Sequence, residues 1–354
     1  LLYRLNDKIK DLKPYDPVGE RYRIHLDANE SFLPIPAEVL EEVKADLDKL
    51  EFNRYPDPLA KEACEAFSGY YGVPVRNVVA GNGSDELITV IFTAFLQKGD
   101  AFATLEPDFS MYAFNGFLQE MRHVVIGKKE DFTLDIDRVI ETCNNEGVKL
   151  LIFSNPCNPT SVVQSREEMR KLIRGVDALV ILDEAYMDFG AESLLKEFMD
   201  YDNLILLRTC SKAFGMAALR LGFAVANDML AGALRAVKSP YNVNSVTQKI
   251  GAAVLRRKEE LQKALAEILN SRNFLLEQIK QIGGEFPNCF TVFGGSTNFV
   301  TLVLEEPERL YQYLGEQGIS VRFTSGLIRV TCGTEEENRE FLQVLRNYLK
   351  EKGE

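Results

Sequence analysis

Between about residues 76 and 230, short apolar runs alternate with longer stretches of helical period. NVVA (77–80), KLLIFS (149–154), ALVILDE (178–184) and NLILLRT (203–209) are brief and almost wholly apolar, so each reads as a buried strand. The stretches 84–97 and 166–174 between them read as helices. This alternation predicts an α/β domain with a largely parallel sheet, whose ligands sit beyond the carboxyl ends of the strands.

From about 243 the pattern changes to long amphipathic helix, with Leu261, Leu265, Ile268, Leu269, Leu276 and Ile279 near one face and Gly283-Gly284 as its expected stop. NFVTLVL (298–304), GISVRF (318–323) and LIRVTC (327–332) then read as strands, followed by a closing helix from about 335. A second, smaller α+β unit follows from this. No repeat or low-complexity tract separates the two units, so they are expected to pack closely.

Composition narrows the function. The 354 residues carry 41 Lys and Arg against 53 Asp and Glu, a net charge of −12, and no basic patch appears, which argues against nucleic acids and anionic membranes as partners. The longest apolar run, LITVIFTAFL (87–96), is far short of the roughly 20 residues of a membrane span and reads as a buried helix. The opening segment LLYRLNDKIKDLKPYDP matches neither a signal nor a transit peptide, so the cytoplasm is the expected location. Six scattered cysteines without a C-x-x-C pair suggest neither disulfides nor zinc. With only His25 and His123, chemistry here is expected from carboxylates, lysine or a cofactor, with no metal.

Four segments could carry it. In AGNGSDELITVIF (80–92) a strand enters Gly81-Asn82-Gly83-Ser84 and then a helix, where free N–H groups and the helix dipole suit a phosphate. The dinucleotide fingerprint fails at Glu86 and the P-loop lysine is absent, and a helix merely capped by Ser84 reads equally well. In SNPCNPTS (154–161) two Asn-Pro pairs stiffen a turn that holds Asn158 at a strand end, or form a plain turn. ALVILDEAY places Asp183 where a buried strand stops, an expensive position unless a cation meets it. That cation could equally be a pyridinium, a metal or a structural salt-bridge partner. In RTCSKAFGMAALRLGF (208–223), Lys212 stands among small and apolar residues at the same sheet edge, with Thr209, Ser211 and Arg220 able to hold an anion. A phosphate, a ring nitrogen that needs a carboxylate and a carbonyl that needs a lysine together describe pyridoxal phosphate.

The succession LDANES (26–31), NRYPDP (53–58), GNGSDELI (81–88), EPDFSMY (106–112), NPCNPTS, LDEAY, SKAFGMAALRLGF, PYNVNSVTQ (240–248) and LIRVTCGT (327–334) resembles the histidinol-phosphate aminotransferase family over nearly the whole chain. The resemblance implies a fold-type I pyridoxal-phosphate-dependent transferase: an arm (1–30) packing with the small domain, a large cofactor-binding domain with a mostly parallel sheet flanked by helices (31–242), and a small α+β domain (243–354). It implies that Lys212 holds the cofactor covalently and shuttles a proton, that Asp183 pairs with the ring nitrogen, and that Asn158 and Tyr186 bond the ring oxygen. Phe109 would stack on the ring, with Gly83, Ser84, Asp85, Thr209, Ser211 and Arg220 around the phosphate. Tyr55 would reach the phosphate in a neighbouring subunit, making the active unit a homodimer with shared sites.

Arg329 would take a substrate carboxylate and Arg322 a substrate phosphate, with Tyr15, Asn29 and Tyr241 along the pocket wall; for both arginines a surface salt bridge is the plainer alternative. Two departures stand out: Ser161 where the family usually has Gly, and Phe109 where Tyr is common. The implied reaction moves an amino group between histidinol phosphate and a 2-oxo acid, in the biosynthetic direction from glutamate to imidazole-acetol phosphate. The rivals are an aromatic amino acid transaminase, a lyase similar to threonine-phosphate decarboxylase, and a binding module that kept only the fold.

Overall fold

The computed structural model describes residues 3–14 and 22–353. In chain order the strands are β1 (Ile24–Leu26), β2 (Val78–Asn82), β3 (Ala101–Glu106), β4 (Arg122–Gly127), β5 (Val148–Ser154), β6 (Leu179–Asp183), β7 (Leu204–Thr209) and β8 (Leu221–Ala226), followed by β9 (Thr291–Phe293), β10 (Phe299–Val303), β11 (Ile319–Thr324) and β12 (Leu327–Thr331). They form two sheets. Seven strands run in the order β2-β8-β7-β6-β5-β3-β4, all parallel except β8, which is antiparallel to both neighbours. Five run in the order β1-β11-β12-β10-β9, where only the β1–β11 pair is parallel.

The central strands are apolar along their length because both faces are covered. Leu150, Ile152, Ile181, Ile205 and Leu207 point to one side, where they pack in one core with Leu87, Ile88, Ile91 and Phe92 of the helix Gly83–Phe95. Their neighbours Leu151, Phe153, Val180, Leu182, Leu204 and Leu206 enter the core on the other side. The apolar run at 87–96 is thus the buried stripe of a helix. Ser84 is not its cap: the helix starts one residue earlier, at Gly83, and the Asn82 N–H donates to Glu86 Oε2 at 2.6 Å.

The helical stretch after 243 differs from expectation at both ends. It breaks at Arg256–Arg257 into helices Ser245–Leu255 and Lys258–Glu285, and the second runs through Gly283 and Gly284 before ending at Phe286. Glycine in a helix costs about 1 kcal/mol relative to alanine. Ile279 and Ile282, both fully buried, hold that last turn against the small sheet's core, so tertiary packing overrides the local signal.

All six cysteines are free, and five are buried. Among the described residues no helix is long and apolar enough to cross a membrane, and no group of three or more His, Cys, Asp or Glu side chains is placed to hold a metal.

Candidate active site

The carboxyl ends of β3, β5, β6 and β7 open into a cavity of about 510 Å³, closed on its far side by the segment after β1 and by β11–β12 of the small sheet. Asp183 is the last residue of β6 and is buried. Its Oδ2 accepts from the Tyr112 hydroxyl at 2.8 Å and its Oδ1 from the Ala185 N–H at 3.0 Å. Both donors are neutral. Burial therefore dominates and pushes the carboxyl up to about 7, despite those two bonds.

Lys212 lies in the turn after β7, and its Nζ donates to the Ala28 carbonyl at 2.8 Å. Burial, and then the charge of Arg329, bring its amine down to about 8. A lysine so placed is partly unprotonated near neutral pH, which is what a nucleophilic amine requires.

At one end of the cavity Ser84, Asp85, Thr209, Ser211 and Arg220 come together. Arg220 adopts a left-handed backbone (φ 52°) between a short 3₁₀ turn and β8, and its guanidinium donates to Ser211 Oγ at 3.2 Å, the Ala217 carbonyl at 3.1 Å and Asp85 Oδ2 at 3.0 Å. Gly83 lies just beneath: its φ is +80°, and a Cβ there would stand 2.7 Å from an Arg220 guanidinium nitrogen. A Cβ on Gly222 would strike the Ser84 nitrogen at 2.4 Å, so the start of the helix rests directly on β8. Two glycines thus make room for backbone and guanidinium donors to converge where a helix begins, a geometry suited to phosphate.

Asn158 and Tyr186 face the middle of the cavity. Asn158 Oδ1 accepts from an Arg329 guanidinium N–H at 2.6 Å, which leaves its amide NH₂ as what it offers a ligand. The Tyr186 oxygen accepts from Asn29 Nδ2 at 2.8 Å, so its own O–H is the free donor, and burial raises its pKa. Asn29, at φ 53°, is fastened to β12 through the Thr331 hydroxyl, which accepts from its N–H and donates to its Oδ1, each at 3.0 Å. Phe109 lines the wall, set edge-on to Tyr112 at 5.5 Å.

Arg322 and Arg329 are directly opposed across the antiparallel β11–β12 pair and both line the cavity. Arg329 also donates to the Asp27 carbonyl and lies 5.4 Å over the Phe299 ring. Two guanidinium groups lining one cavity suit an anionic ligand.

Ser161 takes a left-handed φ of 62°, a conformation that glycine adopts most easily. In exchange its hydroxyl bonds Thr297 Oγ1 at 2.7 Å, and the Pro159 carbonyl accepts from the Thr301 hydroxyl, which ties this loop to the small sheet.

Two expected residues lie away from the cavity. Tyr55 is 81% exposed and stacks on Tyr241, with ring centroids 4.5 Å apart and planes at 14°; neither ring lines the cavity of its own chain. Tyr15 lies outside the described residues. Among the cavity residues that sequence reasoning leaves without a role are Tyr112, the donor to Asp183, and Asp108, beside Phe109. The clue for Tyr112 is chemical, since a buried carboxylate at a strand end requires a donor.

The model of the family described as aminotransferase class I and II matches residues 23–345. The chain belongs to this aminotransferase family. Among its relatives, histidinol-phosphate aminotransferase of Clostridium novyi is 42% identical over 343 residues, covering 96% of this chain and 95% of that one. The enzyme of the same description from Clostridium kluyveri is 41% identical over 345 residues, covering 95% and 96%. Among solved structures, histidinol-phosphate aminotransferase of Sinorhizobium meliloti in complex with pyridoxal-5'-phosphate shares the fold with a TM-score of 0.88 at 20% identity, covering 99% of both chains. In this aminotransferase the expected α/β architecture is therefore present, with its polar residues gathered at the strand ends.

Proposed function

We propose that this aminotransferase uses pyridoxal phosphate to move an amino group between glutamate and imidazole-acetol phosphate, giving histidinol phosphate and 2-oxoglutarate. The observation that carries the reading is the opposed pair Arg322 and Arg329 in one cavity with Lys212 and Asp183. Both amino donors are anions, glutamate through carboxylates and histidinol phosphate through its phosphoryl group, and guanidinium forks suit both. The names carried by relatives at 41–42% identity, histidinol-phosphate aminotransferase, support histidinol phosphate as one of these substrates.

The residues present fit the cofactor. Asp183, buried and held only by neutral donors in its bonds from Tyr112 and Ala185, is the partner for a protonated ring nitrogen. Asn158 and Tyr186 each have a donor for the ring oxygen, Phe109 offers a face, and the Gly83–Gly222 cradle with Arg220, Ser211 and Thr209 fits the phosphate. Asp85 contributes there through its backbone, since its carboxylate is engaged by Arg220. When bound, pyridoxal phosphate supplies a carbonyl that accepts the amino group and a ring that withdraws electrons from the substrate α-carbon.

Lys212 Nζ takes the proton from the substrate α-carbon and returns it on the other side of the transfer, a role for which its lowered pKa suits it. Asp183 holds a proton at the ring nitrogen by its charge. Arg329 fixes a substrate carboxylate and, through Asn158, links substrate binding to the ring oxygen. Arg322 orients the phosphate of the larger donor.

The active unit is a homodimer in the cytoplasm, in which the exposed, paired Tyr55 and Tyr241 meet the partner's cavity. With this reading goes the division into an arm (1–30), a cofactor-binding unit (31–242) and a small unit (243–354), supported by the two separate sheets. A panel of amino donors tests the function, with absorbance reporting conversion of the cofactor to its amine form. Histidinol phosphate and glutamate should convert it fastest. Faster conversion by an aromatic amino acid, or carbon dioxide release from threonine phosphate, would replace this reading.

A further inference from the structure

Beside the cavity lies a buried ion pair that the chemistry above does not use. Lys128, the residue after β4, and Asp108, in the turn after β3, have side chains only 3% and 0% exposed, with Nζ 3.5 Å from Oδ2. The Lys128 ammonium also donates to the Pro107 carbonyl at 2.7 Å and to Cys157 Sγ at 3.0 Å. Asp108 accepts from the Phe109 N–H at 2.8 Å, from the Ser154 N–H at 3.1 Å and from the Ser154 hydroxyl. Ser154 Oγ in turn accepts from the Asn158 N–H at 3.1 Å. One pair of charges thus ties together the ends of β3, β4 and β5, and both loops it grips carry a cavity residue: Phe109 in one, Asn158 in the other.

A buried pair of this kind is weak evidence for stability, because desolvation offsets the attraction and an apolar replacement is often neutral. Its cost makes sense if it fixes geometry. We propose that Asp108 and Lys128 are positioning residues that hold the Phe109 ring and the Asn158 amide in register against a bound cofactor. What the two held groups do rests on the pyridoxal-phosphate reading; where they stand does not. Burial raises the Asp108 pKa against the pull of Lys128, whereas for Lys128 the nearby Asp108 and Cys157 outweigh burial and keep the amine protonated. The ammonium also balances a carboxylate whose charge acts on Asp183.

The test is the double variant Asp108→Ala/Lys128→Met, which removes both charges together, compared with Asp108→Asn/Lys128→Met, which restores a neutral acceptor, and with Ser154→Ala, which keeps the pair and cuts its link to Asn158. In a crystal structure of the ligand-free Ala/Met variant, the Phe109 ring should be displaced and the hydrogen bond from Arg329 to Asn158 broken. With pyridoxal phosphate, its dissociation constant should rise about tenfold and kcat fall about 10- to 100-fold, as for a misplaced reacting geometry. The pH midpoint of the visible absorbance band should also move, and the Asn/Met variant should recover part of each effect. Unchanged positions of Phe109 and Asn158 in the ligand-free structure overturn the proposal. So does a double variant that fails to fold while Ser154→Ala matches wild type in affinity and band. Wild-type protein that develops no band would sink the cofactor reading alone, because the ligand-free structures still decide the positioning.

Discussion

Asp183 makes a quantitative prediction about the ligand-free protein. Its carboxyl is raised from 3.8 to about 7, chiefly by burial. A carboxyl with a raised folded pKa binds more protons folded than unfolded, so its contribution to stability falls as pH rises through this window and is level above it. At 1.36 kcal/mol per unit, a shift from 3.8 to about 7 makes the penalty about 1.7 kcal/mol at pH 5 and about 4 kcal/mol at pH 8. Asp183→Asn removes this titration. It also turns one of the two donors, the Tyr112 O–H or the Ala185 N–H, against an NH₂ group, at a cost of about 1–3 kcal/mol that does not depend on pH. The net effect at pH 8 is a ligand-free variant more stable than wild type by about 1–3 kcal/mol. The more secure quantity is the change between pH 5 and 8, about 2.5 kcal/mol in favour of the variant, because the hydrogen-bond cost cancels. Urea unfolding of the two ligand-free proteins at a series of pH values measures it. With pyridoxal phosphate present the order should reverse, since a ring cation turns the buried carboxylate from a burden into a partner. A difference in stability that stays constant from pH 5 to 8 would refute the argument.

Other outcomes follow from the same geometry. Uptake of pyridoxal phosphate by the ligand-free protein should speed up as pH rises towards about 8, where Lys212 loses its proton, and level off above; Arg329→Gln should move that midpoint upward, because the arginine charge is one cause of the lowered value. Lys212→Ala should abolish the visible band and lower turnover by roughly a thousandfold or more, read by borohydride trapping and steady-state assay. Gly83→Ala forces a side chain into a positive-φ position against Arg220, so stability should drop by about 1–3 kcal/mol and cofactor affinity with it; calorimetry with and without the cofactor checks both. Arg322→Ala should raise KM for histidinol phosphate about 10- to 100-fold and affect glutamate less, and an equal loss for both would remove Arg322 from phosphate recognition.

What could be read in the sequence was what a single strand and its following turn determine. Asp183, Asn158 and Lys212 each follow an apolar run, and parallel packing of those runs alone brings them to one edge. The helix at Gly83 was legible for the same reason, although its cap was not, because capping depends on one backbone angle. Relations between distant strands were hidden. Tyr112 reaches Asp183 across 71 positions, and the Asp108–Lys128 pair joins two strand ends that no local pattern connects. The opposition of Arg322 and Arg329 is a matter of register, which a strand's own sequence does not state. Gly283 and Gly284 misled because buried Ile279 and Ile282 hold the turn around them, and Tyr55 and Tyr241 stack on each other outside the cavity of their own chain.

The cavity's separate strains share one remedy. Without ligand the protein keeps a carboxyl too buried to ionise easily and an amine held below its usual pKa, in one cavity with two arginines in register across a strand pair. The carboxyl and the amine both work against folding, and a fold tolerates such features where a ligand later satisfies them. On the proposed reading Asp183 would meet a protonated ring nitrogen and Lys212 a carbonyl, while Arg322 and Arg329 would hold an anionic substrate. The three lie at one cavity because the carboxyl ends of β6 and β7 face the β11–β12 pair across it. On that reading part of the cofactor's binding energy would go to relieving the costs of burying Asp183 and Lys212 in the folded chain. That is why the same residues should appear as stability costs in the ligand-free protein and as determinants of affinity once the ligands are bound.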